Sequence, residues 1–312
     1  MGPTASGKSG LAVELARTFS LEIVNADSVQ VYQGLEIGSA KPSQEERQAV
    51  PHHLLDLVPP DQPFSAGRYR EAALAQIEDC HQRGVVPALV GGTGFYFRAV
   101  EEGLADIPQV DPTIVEQLNQ LAADTEGQLA LHAELSRVDP QWAAQVQPAD
   151  RQRTIRGLSV YRSSGETLTH WLALSKEKNA QQEKKHAFLK LALDWPRETL
   201  YARINQRFDQ MMEQGFLDEV RGLLEQGYDS NLPAMKAVGY RALLSHLQGA
   251  CSLAEAIELG KRDSRRYAKR QLTWLRQEKN LHWLAPKTPI EEVFPHLSPF
   301  LSRFLAKNGI LG

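Results

Sequence analysis

Apolar positions recur along this chain with two different periods, and the switches between them mark its elements. From Gly10 to Phe19 the residues Leu11, Val13, Leu15, Ala16 and Phe19 sit among helix-forming Ala, Leu and Glu, which predicts a helix. Leu21 to Asn25 is a short apolar run that predicts a strand, delivering Asp27 and Ser28 at its C-terminal end. After a stretch rich in Gly and Pro, QGLEIGSAKP, and the segment HHLLDLV, helical spacing returns from Ala66 to Arg83 and stops at Gly84. Val85 to Val90 reads as a second buried strand, running into Gly91-Gly-Thr-Gly94. Strand, helix and strand in this order predict a parallel sheet with crossover helices, in which ligands collect at the C-terminal strand ends.

Beyond this point the period changes. Asp111 to Ala180 shows helical spacing without a β-branched run, Phe188 to Leu193 restores a strand, and the remainder reads as helical to the end. The expected organisation is a sheet core begun in 1–110, a helical insertion in 111–186, and the core resumed with C-terminal helices in 187–312. No internal repeat or low-complexity tract is visible.

Composition excludes more than it suggests. The 312 residues are 42% hydrophobic and 23% charged, ordinary for a globular chain. With a net charge of -3, any nucleic-acid contact must come from a local basic patch. The two cysteines, Cys80 and Cys251, lie far apart, so neither a disulfide framework nor a zinc site is expected. No apolar run approaches the roughly 20 residues of a membrane span, and the N-terminus lacks a signal-peptide layout. The expectation is a cytoplasmic protein with no membrane partner.

The densest chemistry lies at the start. Gly2-Pro3-Thr4-Ala5-Ser6-Gly7-Lys8-Ser9 fits the phosphate-loop pattern G-x-x-x-x-G-K-[ST]. Backbone amides can converge on a phosphate there, Lys8 adds a cation, and Ser9 can ligate Mg²⁺. The fold expectation is therefore α/β, with a P-loop NTPase-like parallel sheet core, a helical insertion domain and a helical C-terminal region. Such loops leave a strand buried in the sheet, yet only Met1 precedes this one. The natural protein is thus expected to carry a further apolar strand upstream, within roughly five to fifteen residues.

What phosphate the loop holds is left open by the loop itself. A hydrolase needs an acid after an apolar strand to position metal and water, whereas the strand at Val85 to Val90 ends in Gly-Gly-Thr. Two readings remain, a P-loop kinase of a nucleoside or small metabolite and a transferase that holds a leaving pyrophosphate. An RNA-binding protein with a regulatory nucleotide site is a third. A basic segment runs from Lys261 to Arg276. At ~100° per residue Lys261, Arg265 and Lys269 form one stripe and Arg262, Arg266 and Arg270 the next, with Tyr267, Trp274 and Leu275 opposite. Only Asp263 interrupts the basic half, which points to phosphate contacts.

The stretches GPTASGKS, NADSVQVYQGLEIGSAKP, PHHLLD, VGGTGFYFRAV, RINQRF, MKAVGYRAL and YAKRQLTWLR occur in this order and together resemble the tRNA dimethylallyltransferase, or tRNA isopentenyltransferase, family. The resemblance implies transfer of a dimethylallyl group from dimethylallyl diphosphate to the exocyclic amine of the adenosine 3′-adjacent to the anticodon, with release of pyrophosphate. The expected enzyme acts on the anticodon stem-loop of tRNA, depends on the Mg²⁺ that Ser9 can ligate, and is a monomer. Asp27 falls on the family's general base and Thr93 on a threonine near the reacting amine. Loop residues Gly2 to Ser9 would hold the diphosphate or a nucleotide, joined by Arg203 and Arg207, which share a helix face at i, i+4. Contacts to tRNA are implied for Asp27, Ser28, Val29, Gln30 and Thr93 near the base. They are implied for Gln152, Arg153, Thr154, Ile155 and Arg156 in the insertion. Lys236, Ala237, Val238, Gly239, Tyr240 and Arg241 form a third group, with Arg266, Lys269 and Arg270 on the basic helix. The chain departs from the family pattern at Ala149 and Ser159. His52 and His53 match a family motif and read as structural.

Overall fold

The computed structural model describes residues 1–181, 186–286, 288 and 290–307. It divides into two compact units, one made of Met1–Glu101 with Ala187–Gly312 and the other of Glu102–His186.

The first unit is built around parallel strands. Leu21–Ala26 (β1) is buried everywhere except Glu22, as expected of a strand covered on both faces. It pairs in parallel with His52–His53 (β2) on one side and Val86–Gly91 (β3) on the other, in a register running from Leu21 opposite Val86 to Ala26 opposite Gly91. A second parallel pair joins Lys190–Leu193 (β4) to Leu281–Leu284 (β5). One apolar cluster including Leu15, Leu21, Val86, Leu193 and Leu284 spans both sheets. β5 corrects the expectation of unbroken helix after β4. Its pattern, His282 and Trp283 exposed between Leu281 and Leu284, carries no apolar run, and pairing with β4 is what makes it a strand. β2 is a two-residue strand and equally silent in periodicity. Among the described residues no strand precedes Gly2; the Met1 amine donates to the Leu191 carbonyl at 2.7 Å.

Helices cover the sheets. Lys8–Thr18 follows the Gly-rich loop, and Ala66–Gln82 starts where the Ser65 side chain accepts from the Arg68 amide. Arg197–Glu213, Phe216–Glu225 and Tyr240–Leu247 follow β4. The long Leu253–Leu275 helix opens on a capping box between Ser252 and Glu255. The main core gathers Ala26, Tyr69, Ile77, Phe208, Phe216, Val220, Tyr240 and Leu243.

In the second unit, aspartates cap four of the helices: Asp111, Asp124, Asp139 and Asp150 each accept from an amide of the following turn. Its core is Leu118, Leu131, Leu135, Ile155 and Leu158. The unit starts ahead of the Asp111 boundary expected from periodicity. Residues 102–110 are not helical but are tied to this unit, Glu102 O accepting from Asn179 Nδ2 at 2.9 Å and Asp106 N donating to Ser175 Oγ at 2.9 Å. Among the described residues no helix is long and apolar enough to cross a membrane.

Candidate functional site

The Gly2–Ser9 loop ends at the N-terminus of the Lys8–Thr18 helix, where Gly7 adopts φ 90° and provides no side-chain cap. A left-handed residue here suits glycine, and the uncapped first-turn amides give the positive end of the helix to an anion. Two other loop amides are already used. Thr4 N donates to Gln271 Oε1 at 2.8 Å and Ser6 N to Pro3 O at 3.3 Å. Gly2 and Pro3 are buried and shape the loop, since a Cβ on Gly2 would lie 2.7 Å from Ser6 Oγ. Ser9 is exposed in the first helical turn.

Three cations surround this loop. Burial lowers the Lys8 ammonium to about 8, with the Asp27 carboxylate acting against the shift and Arg207 adding to it. Arg203 donates from Nε to the Ala5 carbonyl at 3.0 Å and stacks over Trp195 at 4.3 Å, while Trp195 Nε1 donates to Ser6 O at 2.8 Å. Arg207 is shifted down by burial, with Asp27 opposing and Arg203 contributing. Lowered values on neighbouring cations mean that positive charge is held there at a cost, which a bound anion would relieve.

Asp27 leaves β1 beside this cluster. Asn25 Oδ1 accepts from the Asp27 amide at 3.0 Å, and Asp27 Oδ1 accepts from Val29 N at 2.9 Å. The carboxylate thus orders its own turn, and its remaining lone pairs keep acceptor capacity. Thr93 arrives from the end of β3: its amide donates to Ala26 O at 3.2 Å, and its Oγ1 accepts from Ser28 N at 3.0 Å. The glycines before it are set by space, since a Cβ on Gly91 would lie 2.0 Å from Ala26 O and one on Gly92 2.1 Å from Gln271 Nε2.

A cavity of about 400 Å³ opens beside these groups. Asp27, Ser28, Val29, Arg207, Lys236 and Arg270 line it with Ala237 and Val238, and Phe64, Phe208, Phe216 and Met211 supply apolar wall. Residues expected for diphosphate and for tRNA therefore share one cavity.

The other candidate residues occupy different surroundings. Tyr240 is fully buried, its hydroxyl donating to Glu219 Oε1 at 2.6 Å, so its side chain holds the fold. Arg241 is exposed but pairs with Asp263 at 2.6 Å. On the basic helix, Lys261 pairs with Asp209 at 2.8 Å and Arg265 donates to Asn205 Oδ1 at 2.5 Å. The front of the first basic stripe thus lies against the Arg197–Glu213 helix, and the exposed basic face is Arg262, Arg266, Lys269 and Arg270. In the second unit Gln152, Arg153 and Arg156 are exposed, whereas Thr154 and Ile155 are buried because a helix turns every third or fourth residue inward. Ser159 is buried and donates to Arg156 O at 3.1 Å. His53 Nε2 lies 2.8 Å from Glu22 Oε2, and His52 Nδ1 2.7 Å from Val50 O. Arg83 grips Glu22 through two 2.7 Å bonds and is the main cause holding that carboxyl at about 2, so this group is a saturated ion pair.

Three site residues escaped the sequence reading. Tyr267, assigned to the packing side, lines the cavity and interacts with Thr93 and Gln271, its hydroxyl pushed up to about 12 chiefly by burial. Gln271 is 2% exposed and bonds two separate loops. Glu219 accepts from the amides of Glu36, Ile37 and Gly38 at 2.9, 2.6 and 3.1 Å, fixing a loop that lines the cavity. A polar residue on the apolar side of the basic helix was the one available signal for Gln271; nothing local marks Glu219.

Comparison with known proteins gives a consistent result. A family model described as IPP transferase matches residues 30–278. The chain is 61% identical over 98% of its length to a tRNA dimethylallyltransferase of Magnetococcus marinus, covering 100% of that protein. It is 48% identical over 90% of its length to one from Syntrophobacter fumaroxidans, covering 81% of that protein. The crystal structure of a tRNA isopentenylpyrophosphate transferase from Bacillus halodurans matches 99% of this chain and 96% of its own at a TM-score of 0.69 and 36% identity. A eukaryotic dimethylallyltransferase acting on tRNA matches 97% of this chain and 78% of its own at 0.78 and 26% identity. Mixed α/β architecture with parallel strands and many helices is common to them.

Proposed function

The chain belongs to the IPP transferase family, and from that premise we propose that it transfers a dimethylallyl group from dimethylallyl diphosphate to the N6 amine of the adenosine 3′-adjacent to the anticodon in tRNA. The observation that carries the reading is one cavity lined by Asp27, by Arg207 of the cation cluster and by exposed basic side chains. The core is read as P-loop NTPase-like, with Gly7, Lys8 and Ser9 heading the helix at the phosphate site.

The C–O bond of the allylic diphosphate breaks while the N6–C bond forms. Negative charge grows on the leaving oxygens, and Lys8, Arg203, Arg207 and the helix N-terminus are preorganised to stabilise it. Asp27 takes the proton that the amine sheds as it becomes cationic, and Thr93 orients the amine. Such a base contributes about 10² to 10⁴ in rate. The donor set suits Mg²⁺, because one exposed hydroxyl, Ser9, can share an ion that otherwise keeps waters and substrate oxygens. That ion would neutralise charge on the diphosphate. The target base must leave its stack, at a cost of a few kcal/mol. Arg266, Lys269 and Arg270, with Gln152, Arg153 and Arg156 of the insertion, are read as the phosphate contacts that offset it. This reading puts a monomer in the cytoplasm with its tRNA.

The test is to incubate the protein and Mg²⁺ with unmodified tRNA and either dimethylallyl diphosphate labelled in the prenyl group or ATP labelled in the γ-phosphate. Prenyl label in the tRNA adenine is expected. Label passing from ATP to a nucleoside or small metabolite, with none from the prenyl donor, would establish the kinase reading instead.

A further inference from the structure

The Leu253–Leu275 helix does more than present a basic face. Gln271, 2% exposed on its inner side, accepts at Oε1 from the Thr4 amide at 2.8 Å and donates from Nε2 to the Gly92 carbonyl at 2.8 Å. One side-chain amide therefore bridges the Gly2–Ser9 loop and the turn carrying Thr93. The fit is close on both sides: a Cβ on Gly92 would lie 2.1 Å from Gln271 Nε2 and 3.3 Å from Gly2 O. One turn earlier, Tyr267 interacts with both Thr93 and Gln271.

We propose that Gln271 is a positioning residue that sets the separation between the leaving-group loop and the acceptor-side Thr93 turn. The inference rests on the transferase reading above. In a displacement where one bond breaks as another forms, the reacting atoms must sit about 3 to 3.5 Å apart, and a 1 Å error can cost 10²-fold. Glutamine suits the task because a buried amide is tolerated only with both ends satisfied, which locks it to one geometry. Gln271 is buried and does not line the cavity, so its loss should appear in kcat and leave the Michaelis constants nearly unchanged.

The experiment compares wild type, Gln271→Met and Gln271→Glu across pH. Gln271→Met is expected to lose about 10- to 100-fold in kcat at every pH. Gln271→Glu can reproduce both bonds only when protonated, its C=O accepting from Thr4 and its O–H donating to Gly92. Its kcat relative to wild type should therefore rise by tenfold or more as pH falls through its carboxyl pKa, which burial raises. Amide exchange at Thr4 should be accelerated at least tenfold in Gln271→Met, and this readout needs no activity. Gly92→Ala, which displaces the Gln271 amide, should repeat the kcat loss and serves if the Gln271 variants misfold. Wild-type kcat in Gln271→Met or Gly92→Ala, a flat Gln271→Glu ratio, or unchanged Thr4 exchange would overturn the proposal. An inactive wild type whose Thr4 exchange still depends on Gln271 would sink the transferase reading and leave the bridge standing.

Discussion

Asp27 and Lys8 divide the proposed chemistry between proton and leaving group, and each can be tested singly. Asp27 Oδ1 also accepts from Val29 N at 2.9 Å, so Asp27→Asn, which keeps an acceptor oxygen, isolates the base. It is expected to lower kcat by about 10² or more while tRNA affinity stays within a few-fold of wild type. Undiminished turnover would remove Asp27 from the mechanism. Lys8, lowered by burial to about 8, gives an alkaline signature: kcat/KM for the donor should fall as pH rises through about 8, where the free enzyme loses this charge. Lys8→Arg, charged throughout, should lack that limb whatever its absolute rate. The stability sign is opposite. Between the folded value and the ordinary value of 10.5 the unfolded chain binds more protons at this position, so Lys8 makes stability increase with pH across that window. Urea titrations at several pH values should show this slope in wild type and not in Lys8→Met.

At the scale of elements, the basic helix has two faces that composition cannot separate. Replacing Lys269 and Arg270 by Gln should reduce the magnitude of the slope of log tRNA affinity against log salt by roughly 1 to 2, about 0.7 to 0.9 for each lost phosphate contact. Replacing Lys261 and Arg265, which face Asp209 and Asn205, should leave that slope alone and lower stability. Equal slopes in both double variants would mean that the exposed face does not meet phosphates. A second device is Glu219, whose carboxylate holds three consecutive amides of the loop at 36–38 and the Tyr240 hydroxyl. Hydrogen bonds to a charged group contribute about 1.5 to 3 kcal/mol each, not additively. Glu219→Ala should cost at least about 2 kcal/mol in chemical denaturation and raise the donor KM, because the freed loop lines the cavity.

On the scale of the molecule, the residues proposed for donor binding all belong to one unit, although the chain leaves it after Glu101 and returns at Ala187. The gap is short in space, since Glu101 and Lys190 form a 2.6 Å ion pair. Replacing 102–186 by a short Gly/Ser linker should give a cooperatively folding protein that binds pyrophosphate, measured by calorimetry, within a few-fold of the full chain. Failure to fold would show that the units depend on each other. Much of this organisation was legible beforehand. The phosphate-loop pattern, β1, β3 and the helical insertion could be read because apolar periodicity and glycine spacing are local properties that fold in place. The places of Asp27 and Thr93 at the ends of readable strands were legible for the same reason, whereas the roles expected of them came from the family resemblance. β2 and β5 were not, because two to four residues without an apolar run become strands only through their partners. Tertiary structure alone turned Lys261 and Arg265 inward, buried Tyr240, and aimed Gln271 at two loops far from it in sequence. In each case a polar group's role depends on which donor or acceptor arrives opposite it, and packing decides that, not the residue's own neighbours along the chain.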